Sequence, residues 1–220
     1  MDVNHALQTF AIYALPVLFA ITLHEAAHGY VARHFGDMTA HAQGRISLNP
    51  LRHIDPIGTV VVPAVILLAS SLGGGGGFLF GWAKPVPVNY SALRKPRQHM
   101  ALVAAAGPGA NLAMALAWAV LLKIGISTPE SGFSEFLSAM SRAGIIVNLV
   151  FTFLNLLPIL PLDGGRILAS LLPSRAAWRY SKLEPFGIPL LLVLLFTNVL
   201  NFMLEPLIGA SAALIRAMVY

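Results

Sequence analysis

From Phe10 to Leu23 the chain carries no charged residue, and it then meets His24-Glu25-Ala26-Ala27-His28 without leaving its apolar pattern, before Gly29-Tyr30-Val31-Ala32 leads on to Arg33. An ionisable residue near the centre of a bilayer costs roughly 2.5–3.5 kcal/mol even on the mildest scale. A greasy helix that accepts three such residues in five positions needs a functional reason. Histidines four apart on a helix differ by about 40° of rotation and about 6 Å of rise, so both imidazoles face one metal ion while Glu25 lies beside the open coordination position. The pattern predicts the machinery of a zinc hydrolase, sunk in a membrane.

Composition supports that setting, because 57% of the chain is hydrophobic and 10% is charged, against about a quarter charged in an ordinary soluble domain. A polytopic membrane protein is expected. Its 220 residues hold about four to six spans with their loops and leave no room for a separate soluble domain. A signal peptide fits poorly: the first nine residues lack Lys and Arg, and the helix that follows carries the motif, so Met1 is expected to begin the mature chain. The net charge of +5 falls in loops between apolar runs, where positive-inside bias and anionic lipid account for it. No nucleic-acid partner is indicated. With no cysteine in the chain, any metal must be held by His and carboxylate.

In chain order, about Ala6 to His34 forms the first span, and the nine residues from His24 to Arg33 place the metal about 13 Å inside one face. Gly44-Arg45-Ile46-Ser47-Leu48-Asn49 alternates like a short strand, so Met38 to Leu48 reads as a small β ribbon at the membrane surface, either a site for strand addition by an extended substrate or a plain connector. Ile57 to Leu72, the five glycines Gly73 to Gly77 and Phe78 to Trp82 suggest a re-entrant glycine hairpin over residues 57–83. Lys84-Pro85-Val86-Pro87-Val88 must be extended, because proline restricts its predecessor. Met100 to Leu122 is the next span, the stretch from Lys123 to Arg142 an outer loop, and Ile145 to Leu160 the following span, on which Asn148, Thr152 and Asn155 form a polar stripe facing the bundle interior. Asn111 and Asn148 read as helix-packing hydrogen bonds. A basic loop with Arg175, Arg179 and Lys182 lies inside, and a C-terminal helical segment over about residues 186–220 is interrupted at Glu205-Pro206.

A catalytic zinc site has three protein ligands and one open position. The candidates for the third are His34, His41, His53, Asp55, His99 and Asp163. If residues 57–83 enter the membrane and return, the spans that follow bring Asp163 to the face of His24 and His28; a single crossing there would send it to the opposite face. His53 and Asp55 share that face too, but in an amphipathic loop nearer water, so the count favours Asp163 and leaves those two open.

With HExxH on an apolar helix, Ala106-Gly107-Pro108 on a middle one, and Asn155-Leu156-Leu157-Pro158-Ile159-Leu160-Pro161-Leu162-Asp163-Gly164-Gly165-Arg166 on a later one, the chain resembles the site-2 protease family of intramembrane zinc metalloproteases, in its short bacterial or archaeal form without a PDZ domain. The resemblance covers about residues 10–172. It implies one Zn2+ per chain bound by His24, His28 and Asp163, Glu25 activating the water, and Asn155 stabilising the oxyanion or positioning substrate. It also implies a substrate that is itself a transmembrane helix, cut within the bilayer in regulated intramembrane proteolysis. The expected fold is an all-α polytopic bundle of about five to six transmembrane or re-entrant helices with the small β ribbon. That makes residues 1–220 one transmembrane metalloprotease domain with its catalytic core over about residues 6–172. The expected location is a prokaryotic cell membrane, with the active site nearer the cytoplasmic face. Asn49-Pro50 and His53-Ile54-Asp55-Pro56-Ile57-Gly58 lie beyond the minimal pattern, and the sequence assigns them no role. The rival class is a membrane transporter or metal-binding scaffold using the His/Asp cluster without proteolysis; Glu25, which a carrier does not need, discriminates the two. The sequence names neither the substrate nor the oligomeric state.

Overall fold

In the computed structural model, which describes residues 3–61, 65 and 83–220, the chain is a helical bundle. Helix α1, Val3–His34, is followed by a single turn, α2, Thr39–Ala42. Two long helices come next, α3 at Pro96–Ser127 and α4 at Gly132–Asn155. Two short ones, α5 at Asp163–Leu171 and α6 at Ser174–Ser181, lead to α7 at Glu184–Phe196 and α8 at Val199–Val219. Among the described residues, four stretches are long and apolar enough to cross a membrane: Leu7–His34, Pro96–Ser127, Gly132–Asn155 and Val199–Val219. The chain is a multi-pass membrane protein. Its outward surface fits that reading, since Phe10, Phe196 and Phe202 are 72%, 83% and 80% exposed, an arrangement that water would penalise and lipid would not.

The helices begin and end where their sequences allow. Pro96 opens α3 at a position whose N–H has no helical partner, and Ser131 and Ser134 form a reciprocal cap on α4. Helix α3 is the hub, packed against α1, α4, α5 and α8. One apolar core lies among α3, α4 and α8, where Trp118, Leu122, Leu149 and Ile215 meet. A second, around Leu157, Leu191, Leu200 and Leu204, ties α7 and α8 to the end of α4.

Three expectations are corrected. Where the small β ribbon was expected, at Met38 to Leu48, there is the turn α2 and then irregular backbone, and no strand occurs among the described residues. The backbone there packs on α1 and on the later segment rather than pairing as strands: a Cβ on Gly29 would lie 2.8 Å from Ile46 Cγ1, and Arg45 donates to the Lys84 and Pro85 carbonyls. The stretch from Lys123 to Arg142 is mostly helix, with only residues 128–131 connecting α3 to α4, because polar turns extend both helices beyond the apolar runs. The C-terminal break falls at Asn198, whose φ of 61° ends α7, and Pro206 is carried inside α8. The glycine hairpin falls largely on residues 62–64 and 66–82, outside the described residues.

Candidate active site

His24 and His28 stand one turn apart on α1 and both are buried, 7% and 8% exposed. Asp163, the first residue of α5, meets them there. Its Oδ2 lies 3.1 Å from His24 Nε2 and 3.3 Å from His28 Nε2, and the two Nε2 atoms are 3.0 Å apart. Asp163 reaches this point because Gly164 and Gly165 let α5 press onto the chain leaving α4: a Cβ on Gly164 would collide with the Leu156 and Leu157 carbonyls, and one on Gly165 with the Leu160 amide.

The other ring nitrogens determine what the three groups can do. His28 Nδ1 donates to the Val103 carbonyl at 2.7 Å, since a carbonyl can only accept. His24 Nδ1 lies 2.5 Å from Asn111 Oδ1. The orientation of that amide is fixed, because Asn111 Nδ2 donates to the Ala20 carbonyl and to Asn148 Oδ1, both at 3.1 Å. Asn148 in turn donates to the Gly144 carbonyl at 2.8 Å. With both Nδ1 atoms protonated, the neutral imidazoles turn Nε2 lone pairs toward each other and toward a carboxylate oxygen that has no hydrogen-bond donor of its own. Three lone pairs converging in a buried space repel one another unless a cation lies between them. Gly107 completes the cradle, since a Cβ there would lie 2.5 Å from His24 Nε2 and from His28 Nε2. Among the described residues, His24, His28 and Asp163 form the one group of three that could hold a metal ion. The donor set, two imidazoles and a carboxylate, suits zinc.

Glu25, half-buried, faces the same small cavity of about 130 Å3, which Asn155, Asp163, Val86, Met100 and Arg166 also line. Glu25 Oε2 accepts the backbone N–H of Val86 at 2.7 Å. Asn155 borders the cavity, and its Nδ2 donates to the Phe151 carbonyl at 2.9 Å. The remaining candidates are engaged elsewhere. His53 is 1% exposed and its Nε2 donates to the Ser47 carbonyl at 2.8 Å. Asp55 Oδ1 accepts from the amides of Ile57 and Gly58. His34 and His99 pack on the ring of Phe35, and His41 is exposed. Sequence reasoning did not foresee that Asn111 holds His24 or that Val86 touches Glu25. A buried Asn beside Gly107-Pro108 was the only available sign of the first, and nothing local announced the second.

The description "Peptidase family M50" matches residues 123–197, which include Asn155 and Asp163. The Bacillus subtilis protein named "Putative zinc metalloprotease YwhC" is 38% identical over 201 residues, covering 90% of this chain and 85% of that protein. Two proteins named "Putative zinc metalloprotease Rip2" are more distant. The one from Mycolicibacterium smegmatis is 28% identical over 184 residues, and the one from Mycobacterium tuberculosis 27% identical over 188 residues. Each alignment covers 84% of this chain and 66% of the relative. No solved structure matches the chain significantly.

Proposed function

This chain belongs to peptidase family M50, the site-2 protease family of zinc metalloproteases, and from that premise we propose that it hydrolyses peptide bonds within the transmembrane segments of other membrane proteins. The observation that carries the reading is the convergence of His24, His28 and Asp163 in a buried site with Glu25 on the same cavity, inside a bundle whose outer surface is apolar. His24, His28 and Asp163 hold one zinc ion per chain. When bound there, zinc supplies a Lewis acid that acidifies a water and polarises the scissile carbonyl.

The chain's own residues do the rest. Glu25, a half-buried carboxylate beside the ligands, takes a proton from the attacking water and returns it to the leaving amine. Asn155, on the cavity wall, supplies a polar side chain to the substrate carbonyl or to the oxyanion that develops from it. A substrate helix keeps its carbonyls in its own hydrogen bonds, out of reach of the site. The substrate therefore enters unwound, as one extended stretch whose backbone groups the site must satisfy. Residues 1–220 act as a single transmembrane metalloprotease domain in a prokaryotic cell membrane, with the site nearer the cytoplasmic face, where the basic loops gather.

Replacing Glu25 by Gln tests the reading against a transporter or metal scaffold. The E25Q protein should keep about one zinc per chain and lose cleavage of a model single-span substrate by at least about three orders of magnitude. Cleavage at the wild-type rate would rule out Glu25 as the base and the protease mechanism with it.

A further inference from the structure

The motif stretch from Gly44 to Pro56 has no part in the zinc ligands, yet it forms a compact knot against α1. Arg52 Nη1 donates to the Gly44 carbonyl at 2.5 Å, and His53 Nε2 to the Ser47 carbonyl at 2.8 Å. Two groups of the knot reach the later segment at residues 83–89, which runs without helix or turn. The His53 carbonyl accepts the Lys84 N–H at 2.9 Å. Arg45 Nη2 donates to the Lys84 carbonyl at 2.8 Å and to the Pro85 carbonyl at 3.2 Å. The far end is fixed independently, where Asp37, 0% exposed, accepts the Asn89 N–H at 2.6 Å.

Between these anchors lies Pro85-Val86-Pro87. Prolines have no N–H and keep the residue before them extended, so Val86 carries the single backbone donor of the three. That donor goes to Glu25 Oε2 at 2.7 Å. The approach depends on Gly29, one helical turn beyond Glu25: a Cβ there would lie 2.8 Å from Ile46 Cγ1 and 3.3 Å from Val86 Cγ1. A knot, a proline-framed segment and a glycine seat on α1 thus all converge on one oxygen of one carboxylate.

We propose that the Arg45–His53 knot and the Lys84–Val88 segment are a positioning device for Glu25, in which Arg45 holds the Val86 N–H where it fixes Oε2 and leaves Oε1 to take the proton from water. A free glutamate has three rotatable side-chain bonds, and one misplaced by about 1 Å loses on the order of 100-fold in rate. The donor removes that freedom without removing the second oxygen. Arg45 reaches the two adjacent carbonyls with the two N–H groups of a single nitrogen, Nη2. Arg45 acts through Val86 and does not itself touch the reacting atoms.

The inference rests on the protease reading above. Its test is incorporation of the α-hydroxy analogue of valine at position 86 of the full chain, which replaces the N–H by an ester oxygen and keeps the side chain. With a model single-span substrate, kcat should fall at least tenfold while KM stays within twofold and zinc content is unchanged. Arg45→Met should reproduce the fall in kcat, and Arg45→Lys should recover part of it. Unchanged kcat in the ester variant, a loss confined to KM, or a loss that tracks zinc content would each overturn the inference. The E25Q control separates the two claims. If E25Q still cleaves, the protease reading fails; if E25Q is inactive and the ester variant is fully active, only the positioning role fails.

Discussion

The proposed metal site depends on Asn111, a residue outside the His24, His28 and Asp163 group. Its carboxamide is fully buried at 0% exposure, and both of its ends are committed, Nδ2 to two acceptors and Oδ1 to His24 Nδ1. That leaves His24 a single tautomer, with Nε2 free to bind a cation. Partners of this kind are worth about 10–100-fold in metal affinity, so Asn111→Ala should weaken zinc binding by that factor in a chelator competition titration. Asn111→Asp keeps an acceptor toward His24 and should lose less. Equal affinity in all three proteins would show that Asn111 only packs helices. The two histidines and Glu25 were legible because their geometry is local: four residues along a helix fix two side chains on one face. The role of Asn111 was not, since it depends on a partner 87 residues away, and spacing along the chain says nothing about which of several buried amides will lie opposite a given ring. The same holds for Val86, 61 residues from Glu25.

Among the elements, α5 matters most, because it delivers Asp163 from a helix of only nine residues. Such a helix is too short to be stable alone, so its position is set by what it rests on. That support is the backbone between α4 and α5: Gly164 and Gly165 lie so close to the carbonyls and amides of residues 156–160 that no side chain fits. Gly164→Ala therefore forces α5 outward, at about 1–3 kcal/mol for overpacking, and moves the carboxylate off the two imidazoles. The expected result is zinc loss and a lower midpoint in thermal unfolding; Gly109→Ala, at a position with nothing within 4 Å of a Cβ, should change neither. Full zinc content in Gly164→Ala would show that Asp163 does not depend on this contact. The pair Gly164-Gly165 is plain in the sequence, but the backbone of residues 156–160 that it presses on is not. The β ribbon was misread because an alternating sequence does not by itself supply a partner strand: Arg45, Ile46 and Ser47 are all half-buried, held by contacts to α1 and to the Lys84 and Pro85 carbonyls.

At the scale of the whole molecule, the number of crossings decides whether the site can form at all. The ends of the elements that meet at the site are tied together by arginines. Arg94 donates to the His34 carbonyl at 2.7 Å, joining the end of α1 to the entry of α3, and Arg97 donates to the carbonyls of Ser170 and Leu172, joining that entry to the end of α5. The connector between α3 and α4, with Glu130, therefore lies at the other end of the bundle, 32 and 24 residues of helix away along α3 and α4. Helices of that length span a hydrocarbon core of about 30 Å, so the two ends face opposite sides of the membrane. The proposed orientation puts the end with Arg94, Lys95, Arg97, Arg175, Arg179 and Lys182 in the cytoplasm, by positive-inside bias, and the end with Glu130 and Glu135 outside. Because the chain has no cysteine, this orientation can be read with single substitutions and no background. In intact cells a membrane-impermeant maleimide should label Glu130→Cys and not Ser174→Cys, and permeabilisation should expose Ser174→Cys. Labelling of Ser174→Cys in intact cells with Glu130→Cys protected would invert the orientation and place the site nearer the outer face. Labelling of both would mean that α3 and α4 do not each cross, and the parity that brings Asp163 back to His24 and His28 would need another explanation.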